Sequence, residues 1–71
     1  MNPTDYEVDI IPLSPGEGGG FLGRVPELPG CKSDGETPQE ALANAYDAIA
    51  CWIEAAKELG REVPAPRKAY A

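Results

Sequence analysis

The sequence TPQEALANAYDAIACWIEAAKELG, from Thr37 to Gly60, predicts one amphipathic helix with a signal at each end. Thr37 is a good N-cap because its hydroxyl accepts a bond from an unpaired backbone N–H, and Pro38 suits the first helical position. Glu40 lies three residues after the cap and completes a capping box, while Gly60 can adopt the left-handed conformation that ends a helix. We therefore expect a helix over residues 38–59, about 33 Å long at 1.5 Å per residue.

The apolar residues of this helix recur at steps of three and four, which predicts one buried stripe. The stripe comprises Leu42, Ala45, Tyr46, Ile49, Trp52, Ile53, Ala56 and Leu59. At its centre, Tyr46, Ile49, Trp52 and Ile53 are expected to pack on the core. The alternative for this helix face is a contact with a second copy of the chain or with a partner.

The segment before the helix predicts three strands. Residues 6–10 alternate apolar and polar side chains, so Tyr6, Val8 and Ile10 should face the core. A glycine-rich connection leads to a second strand at residues 20–25, which favours an antiparallel hairpin, and residues 31–34 predict a short third strand.

After the helix, residues 61–64 predict a short fourth strand that Pro64 and Pro66 restrict to an edge. The order β-β-β-α-β defines an α+β domain: an antiparallel sheet of three strands plus a short edge strand, with one long helix on one face. A chain of 71 residues is one domain, which we assign to residues 1–71.

The net charge of −6, from 12 acidic and 6 basic residues, narrows the choice of partners. An acidic chain is a poor ligand for nucleic acid, which requires clustered lysine and arginine, and it favours a basic partner protein. The sequence shows no secretory leader and no apolar run of the ~20 residues that would cross a bilayer, so no membrane role is expected. These features and only two cysteines predict a cytoplasmic protein.

The sequence gives little support for catalysis or for a metal site. The chain has no histidine, so Cys31 and Cys51 can neither complete a four-coordinate zinc site nor gain the usual base for a nucleophilic cysteine. The glycines of residues 18–23 fit G-x-G-x-x-G by letter, but they precede a strand and predict a hairpin turn instead of a nucleotide loop. We expect no cofactor and no metal.

One enzymatic alternative stays open. Asp5, Glu7 and Asp9 alternate along the first predicted strand and would share a face. Carboxylates on one face can bind Mg²⁺, so Asp5 and Asp9 define a metal-dependent hydrolase as the enzymatic alternative. The preferred interpretation is a solvated strand face and a protein that is not an enzyme.

Several segments together resemble the HicB family of antitoxins. They are the opening strand with Tyr6, Val8 and Ile10, the glycine hairpin, the run VPELPGC at residues 25–31, the helix start and the tail at residues 60–66. The resemblance covers nearly the whole chain and implies a partial RNase H-like fold. Members of this family bind and cover a small basic RNA-cleaving toxin, HicA. They usually also carry a C-terminal DNA-binding part, which we do not expect in residues 1–71.

The resemblance therefore implies an antitoxin-like module that blocks a HicA-type toxin. Its acidic surface would dock on the basic toxin and exclude RNA. The expected partner-binding residues are the acidic ones of the sheet side: Glu7, Asp9, Glu27, Asp34 and Glu36. The alternative is an orphan structural protein that only self-associates, and both hypotheses predict a homo-oligomer, either a dimer or a tetramer.

Overall fold

A computed structural model describes residues 2–66 as a three-stranded antiparallel sheet with one long helix on one face. The strands are β1 (Asp9–Pro12), β2 (Phe21–Arg24) and β3 (Lys32–Gly35), in the spatial order β1-β2-β3, and the helix is α1 (Pro38–Glu58). Short 3₁₀ turns at Pro3–Asp5 and Pro15–Glu17 flank β1. The α+β class and the helix are confirmed.

Two glycines allow the helix to lie directly on the sheet. A Cβ atom on Gly23 would be 2.9 Å from the carbonyl oxygen of Ala41, and one on Gly35 would be 2.5 Å from the backbone nitrogen of Ala41. Neither distance is tolerable, so both positions require glycine. Ser33, which pairs with Gly23 across the strands, donates a hydrogen bond of 3.1 Å to the carbonyl oxygen of Ala41.

The helix begins at its predicted cap. Thr37 Oγ1 accepts a hydrogen bond of 3.0 Å from the N–H of Glu40, as an N-cap threonine should. The side chain of Glu40 accepts a bond of 3.0 Å from the N–H of Glu36, one residue before the donor that a standard capping box uses. Thr37 therefore binds a backbone donor that the helix leaves unpaired, and Glu40 binds the N–H of the residue before the cap.

The helix ends in a Schellman motif. Gly60 has φ of +71°, and its N–H donates to the carbonyl of Lys57, while the N–H of Arg61 donates to the carbonyl of Ala56. Leu59, the last residue of the predicted apolar stripe, is 68% exposed, so its prediction as a buried residue is wrong. Its position at the C-cap turns it away from the sheet.

The core lies between α1, the N-terminal segment and the turn that joins β2 to β3. Its buried members are Tyr6, Val25, Leu28, Cys31, Ile49 and Ile53. Tyr46 and Trp52 are half-buried against this cluster, and the indole N–H of Trp52 donates to the carbonyl of Pro29 at 3.0 Å. Tyr46, Ile49, Trp52 and Ile53 therefore all pack on the core.

The other differences from the expected fold are local. Residues 61–66 form no strand, because Pro64 and Pro66 lack the N–H that a ladder requires, although Val63 still packs on the core. The first strand begins at Asp9, whereas its predicted start was residue 6. Asp5 belongs to a 3₁₀ turn that precedes the strand. Cys51 is exposed on the helix.

Candidate partner-binding surface

An open groove of about 250 Å³ forms where the β1–β2 hairpin, the end of β3 and the first turns of α1 meet. Three acidic residues line it, Asp34, Glu36 and Glu40, together with Asn44 and the glycines at 18, 19, 20 and 35. None of the residues that line the groove is basic. We call this set the acidic groove.

Hydrogen bonds hold the two walls of the acidic groove in place. Asn44 donates its side-chain amide to the carbonyl of Asp34 at 2.8 Å, which ties α1 to the outer edge of β3. The hairpin wall is stiffened by Ser14, whose N–H and hydroxyl both donate to the carboxylate of Glu17. These two bonds lower the pKa of Glu17 below its ordinary value, so the loop keeps its charge in mild acid.

The acidic groove collects only part of the predicted partner-binding set. Asp34 and Glu36 line it, whereas Asp9 lies two strands away and contacts Arg24 at 3.3 Å. Glu7 is exposed just before β1, and Glu27 lies half-buried in the turn between β2 and β3. The five carboxylates are therefore spread over the molecule and do not form one cluster.

Sequence reasoning missed Glu40 as a member of this surface. Its spacing from Thr37 indicated only a role in capping, but the same side chain lines the groove beside Glu36. The available signal was the short connection Gly35-Glu36-Thr37, since it forces the end of the strand and the start of the helix to be neighbours.

A second surface is the side of the sheet that points away from α1. Side chains alternate along a strand, and Gly23, Ser33 and Gly35 face the helix, so the residues between them face the other way. The centre of this side is apolar and half-buried: Ile11, Leu13 and Leu22. Its rim is charged: Asp9, Arg24, Lys32 and Asp34. Asp34 lies at the edge of the sheet and borders the acidic groove as well. We call this surface the open sheet face.

The structure also places the residues of the hydrolase alternative and the two cysteines. Within residues 2–66, no group of three or more His, Cys, Asp or Glu side chains is placed to hold a metal ion. Asp5 accepts a hydrogen bond from the N–H of Asn2 in its own turn and does not join Asp9 on a strand face. Both cysteines are free, and burial raises the pKa of the Cys31 thiol, which opposes its use as a nucleophile.

No helix within residues 2–66 combines the length and the apolar character that a membrane span requires. The helix α1 is long enough, but charged residues such as Asp47, Glu54 and Lys57 interrupt its apolar residues.

Comparisons with known proteins agree on one kind of relative. A family model described as a HicB-like antitoxin of bacterial toxin–antitoxin systems matches residues 10–70. A UPF0150 protein of Thermoplasma acidophilum is 42% identical over 48 residues, which cover 68% of this chain and 70% of the relative. A UPF0150 protein of Synechocystis is 33% identical over 60 residues, or 84% of this chain and 78% of the relative.

A phage protein also matches, but only over part of its length. An uncharacterized 14.9 kDa protein of Haemophilus phage HP1 is 44% identical over 45 residues, which cover 63% of this chain and 34% of the phage protein. No solved structure matches the chain.

Proposed function

Because this chain belongs to the HicB-like antitoxin family, we propose that it binds and blocks a small basic RNase toxin of the HicA type. It would act in the cytoplasm by binding and not by catalysis. The observation that carries the proposal is the acidic groove, where Asp34, Glu36 and Glu40 present three carboxylates and no lining residue is basic.

Charge is the physical basis of the proposed recognition. An RNase must attract phosphate, so its RNA-binding surface is rich in lysine and arginine. An acidic groove attracts the same side chains, raises the association rate and competes with RNA for them. The walls of the groove are held by the Asn44 and Ser14 hydrogen bonds, so its carboxylates need little ordering on binding.

We expect the five acidic residues identified from the sequence to contribute unequally to partner binding. Asp34 and Glu36 become the primary partner-binding residues together with Glu40, since all three line one groove. Asp9 is offset by Arg24, which leaves less charge for a partner. Glu7 and Glu27 would act at most through the overall acidic field.

The test is inhibition of a purified HicA-type toxin that cleaves a fluorescent RNA. The triple variant D34N/E36Q/E40Q removes three charges while it keeps side-chain size and the acceptor oxygen at position 40. We expect it to need at least about tenfold more protein for half-inhibition, equivalent to about 1.4 kcal/mol.

A matched control removes the same number of charges elsewhere. The variant D47N/E54Q/E58Q changes three exposed carboxylates further along α1 and should inhibit within about threefold of the unmodified chain, as surface charges outside an interface act weakly. Equal losses of inhibition in both variants would mean that the overall acidic charge, and not a defined site, accounts for binding. No loss in the groove variant would overturn the proposed site.

The second candidate is a self-associating protein that acts without a toxin. The open sheet face favours it, because a half-buried apolar centre with a mixed charged rim is suited to a protein contact. Failure of the chain to inhibit any purified HicA-type toxin would leave this candidate as the better account.

A further inference from the structure

A second concave region lies at the turn that joins β2 to β3, at the opposite end of these strands from the acidic groove. Its volume is about 300 Å³. Its walls are residues 25, 26 and 28–31 of the turn, and Arg24 and Lys32, which pair across the two strands, complete the lining. We call it the turn pocket. Pockets for small ligands start at about 300 Å³, so its size suits a small molecule.

The walls of the turn pocket are apolar and are held in place by the turn itself. Val25, Leu28 and Cys31 are buried, and their N–H groups all donate to carbonyls within the turn at distances between 3.0 and 3.2 Å. The carbonyl of Pro29 accepts the indole N–H of Trp52 at 3.0 Å, which fixes the turn to α1. The pocket is therefore formed before a ligand arrives, and binding costs little ordering of the chain.

The strong hydrogen-bond donors of the turn pocket are the exposed side chains of Arg24 and Lys32. Pro26 and Pro29 have no N–H, so the walls themselves offer few donors. None of the residues that line the pocket is acidic. Among the described residues, Lys32 has no ion-pair partner, and Asp9 contacts only one guanidinium nitrogen of Arg24, at 3.3 Å. Such an exposed ion pair is weak, so Arg24 keeps donors for a ligand.

We propose that the turn pocket binds a small apolar carboxylate, a molecule with one carboxylate group and a hydrocarbon body. The hydrocarbon lies against the turn, and the carboxylate accepts charge-assisted hydrogen bonds from Arg24 and Lys32. A ligand with a single negative charge fits better than one with two, because the chain as a whole carries −6 and repels further charge. An open pocket of this size predicts weak and reversible binding, with a Kd on the order of 1 mM.

Titration of the full chain with sodium octanoate tests the proposal. Binding is followed by calorimetry and by the fluorescence of Trp52, whose indole is bonded to the wall of the pocket at Pro29. We expect saturation with one octanoate per chain. Hexanoate has two methylene groups fewer and should bind at least about fourfold more weakly. Absence of saturable binding up to about 10 mM octanoate would overturn the proposal.

Two double variants separate the site from general attraction between charges. R24Q/K32Q removes both cations of the pocket and should weaken octanoate binding at least about tenfold. K57Q/R61Q removes two exposed cations that do not line the pocket, and its affinity should stay within about twofold of the unmodified chain. Calorimetry supplies both affinities, since Arg61 lies beside Trp52 and its loss alters the fluorescence. Equal losses in the two variants would overturn the site.

An uncharged probe of the same length tests the role of the two cations. Octanol lacks the carboxylate, so it should bind equally well to the unmodified chain and to R24Q/K32Q. A loss of octanol binding as large as the loss of octanoate binding would show that the substitutions damage the pocket, and it would overturn the assigned role. Asp9→Asn removes the carboxylate that competes for Arg24 and should strengthen octanoate binding about two- to threefold.

The two thiols locate the bound probe. Cys31 lines the turn pocket, whereas Cys51 is exposed on α1 and does not. Saturating octanoate should therefore slow the modification of Cys31 by iodoacetamide at least about threefold and leave Cys51 unchanged, as mass spectrometry can measure. Equal rates at Cys31 with and without octanoate would place the ligand elsewhere and overturn the proposal. None of these variants alters the acidic groove, so the result does not depend on the proposed antitoxin role.

Discussion

The hydroxyl of Tyr6 donates a hydrogen bond of 2.6 Å to the main-chain carbonyl of Pro64, a residue 58 positions later in the chain. The Tyr6 ring is buried in the core, and burial is the largest of the effects that raise the pKa of its phenol. This one bond joins the segment before β1 to the segment after α1. It takes the place of the ladder that a fourth strand would have made.

Loss of this bond should loosen the C-terminal segment. We expect Tyr6→Phe to reduce the free energy of unfolding by about 1 kcal/mol, since the ring still fills the core and only the hydroxyl is lost. Urea unfolding followed by the fluorescence of Trp52, the single tryptophan, measures the change. Tyr46→Phe makes the same change at a half-buried position and should cost less. An equal cost in both variants would show that the bond to Pro64 contributes nothing of its own.

Gly35, one of the two glycines under the helix, should tolerate no side chain. We expect Gly35→Ala to lower the free energy of unfolding by about 2–3 kcal/mol, because its Cβ atom would lie 2.5 Å from the backbone nitrogen of Ala41. Gly16→Ala is the matched control. A Cβ atom there meets only the Ser14 hydroxyl at 3.9 Å, and the change should stay within about 0.5 kcal/mol. Thermal unfolding of both variants decides, and a stable Gly35→Ala would contradict the packing.

The N-cap of α1 should make a measurable contribution to the free energy of unfolding. Thr37→Ala removes the acceptor for the Glu40 N–H and should cost about 1 kcal/mol, whereas Thr37→Ser keeps the oxygen and should cost a few tenths. The free energy of unfolding and the helical circular dichroism signal are the two measurements. Equal stability of the alanine and serine variants would mean that the remaining acceptor, the Glu40 carboxylate on the Glu36 N–H, is sufficient.

The two thiols should react at very different rates. Cys51 is exposed on α1, while Cys31 is buried with its pKa raised, so we expect a maleimide to label Cys51 at least about 100-fold faster in the folded protein. In denaturant both should label alike. Mass spectrometry of the labelled chain follows the two sites, and comparable rates under native conditions would show that the turn over Cys31 opens readily.

The same thiol predicts how stability depends on pH. A folded-state pKa above the unfolded value of about 8.5 means that the stability due to Cys31 is complete below pH 8.5 and is lost as pH rises through the folded pKa. The unmodified chain should therefore lose more stability between about pH 8 and 10 than Cys31→Ala does. Parallel pH profiles of the two proteins would contradict this expectation.

The helix was predictable because its signals are local. Thr37 and Gly60 each bond a backbone atom only three residues away, those of Glu40 and Lys57, and the spacing of Ile49 and Ile53 follows from helical geometry alone. The absence of the fourth strand was not predictable from local signals. Such a strand forms only by pairing with a distant strand, and Pro64 and Pro66 prevent that pairing. The exposure of Leu59 depends on where the surface beneath the helix ends, which no local pattern encodes.

The candidate site was predictable only in part for a related reason. Asp34 and Glu36 were identified from charge and from their place next to the sheet, and both line the acidic groove. Glu40 was missed because it both caps the helix and lines the groove, and the capping role alone was enough to explain a glutamate at this position. The pairing of Asp9 with Arg24 depends on strand register, which charge counts alone do not provide.

The contact between sheet and helix is made largely by residues that have no side-chain rotamers. Gly23 and Gly35 meet Ala41 and Ala45, so backbone lies close to backbone, and the Ser33 side chain beside them is held by its hydrogen bond to Ala41. The sheet cannot slide or tilt under the helix without an immediate clash. A partner that docks on either surface would therefore meet a rigid platform, and its binding should proceed as a lock-and-key association, with little conformational entropy lost by this protein and nearly the same backbone before and after.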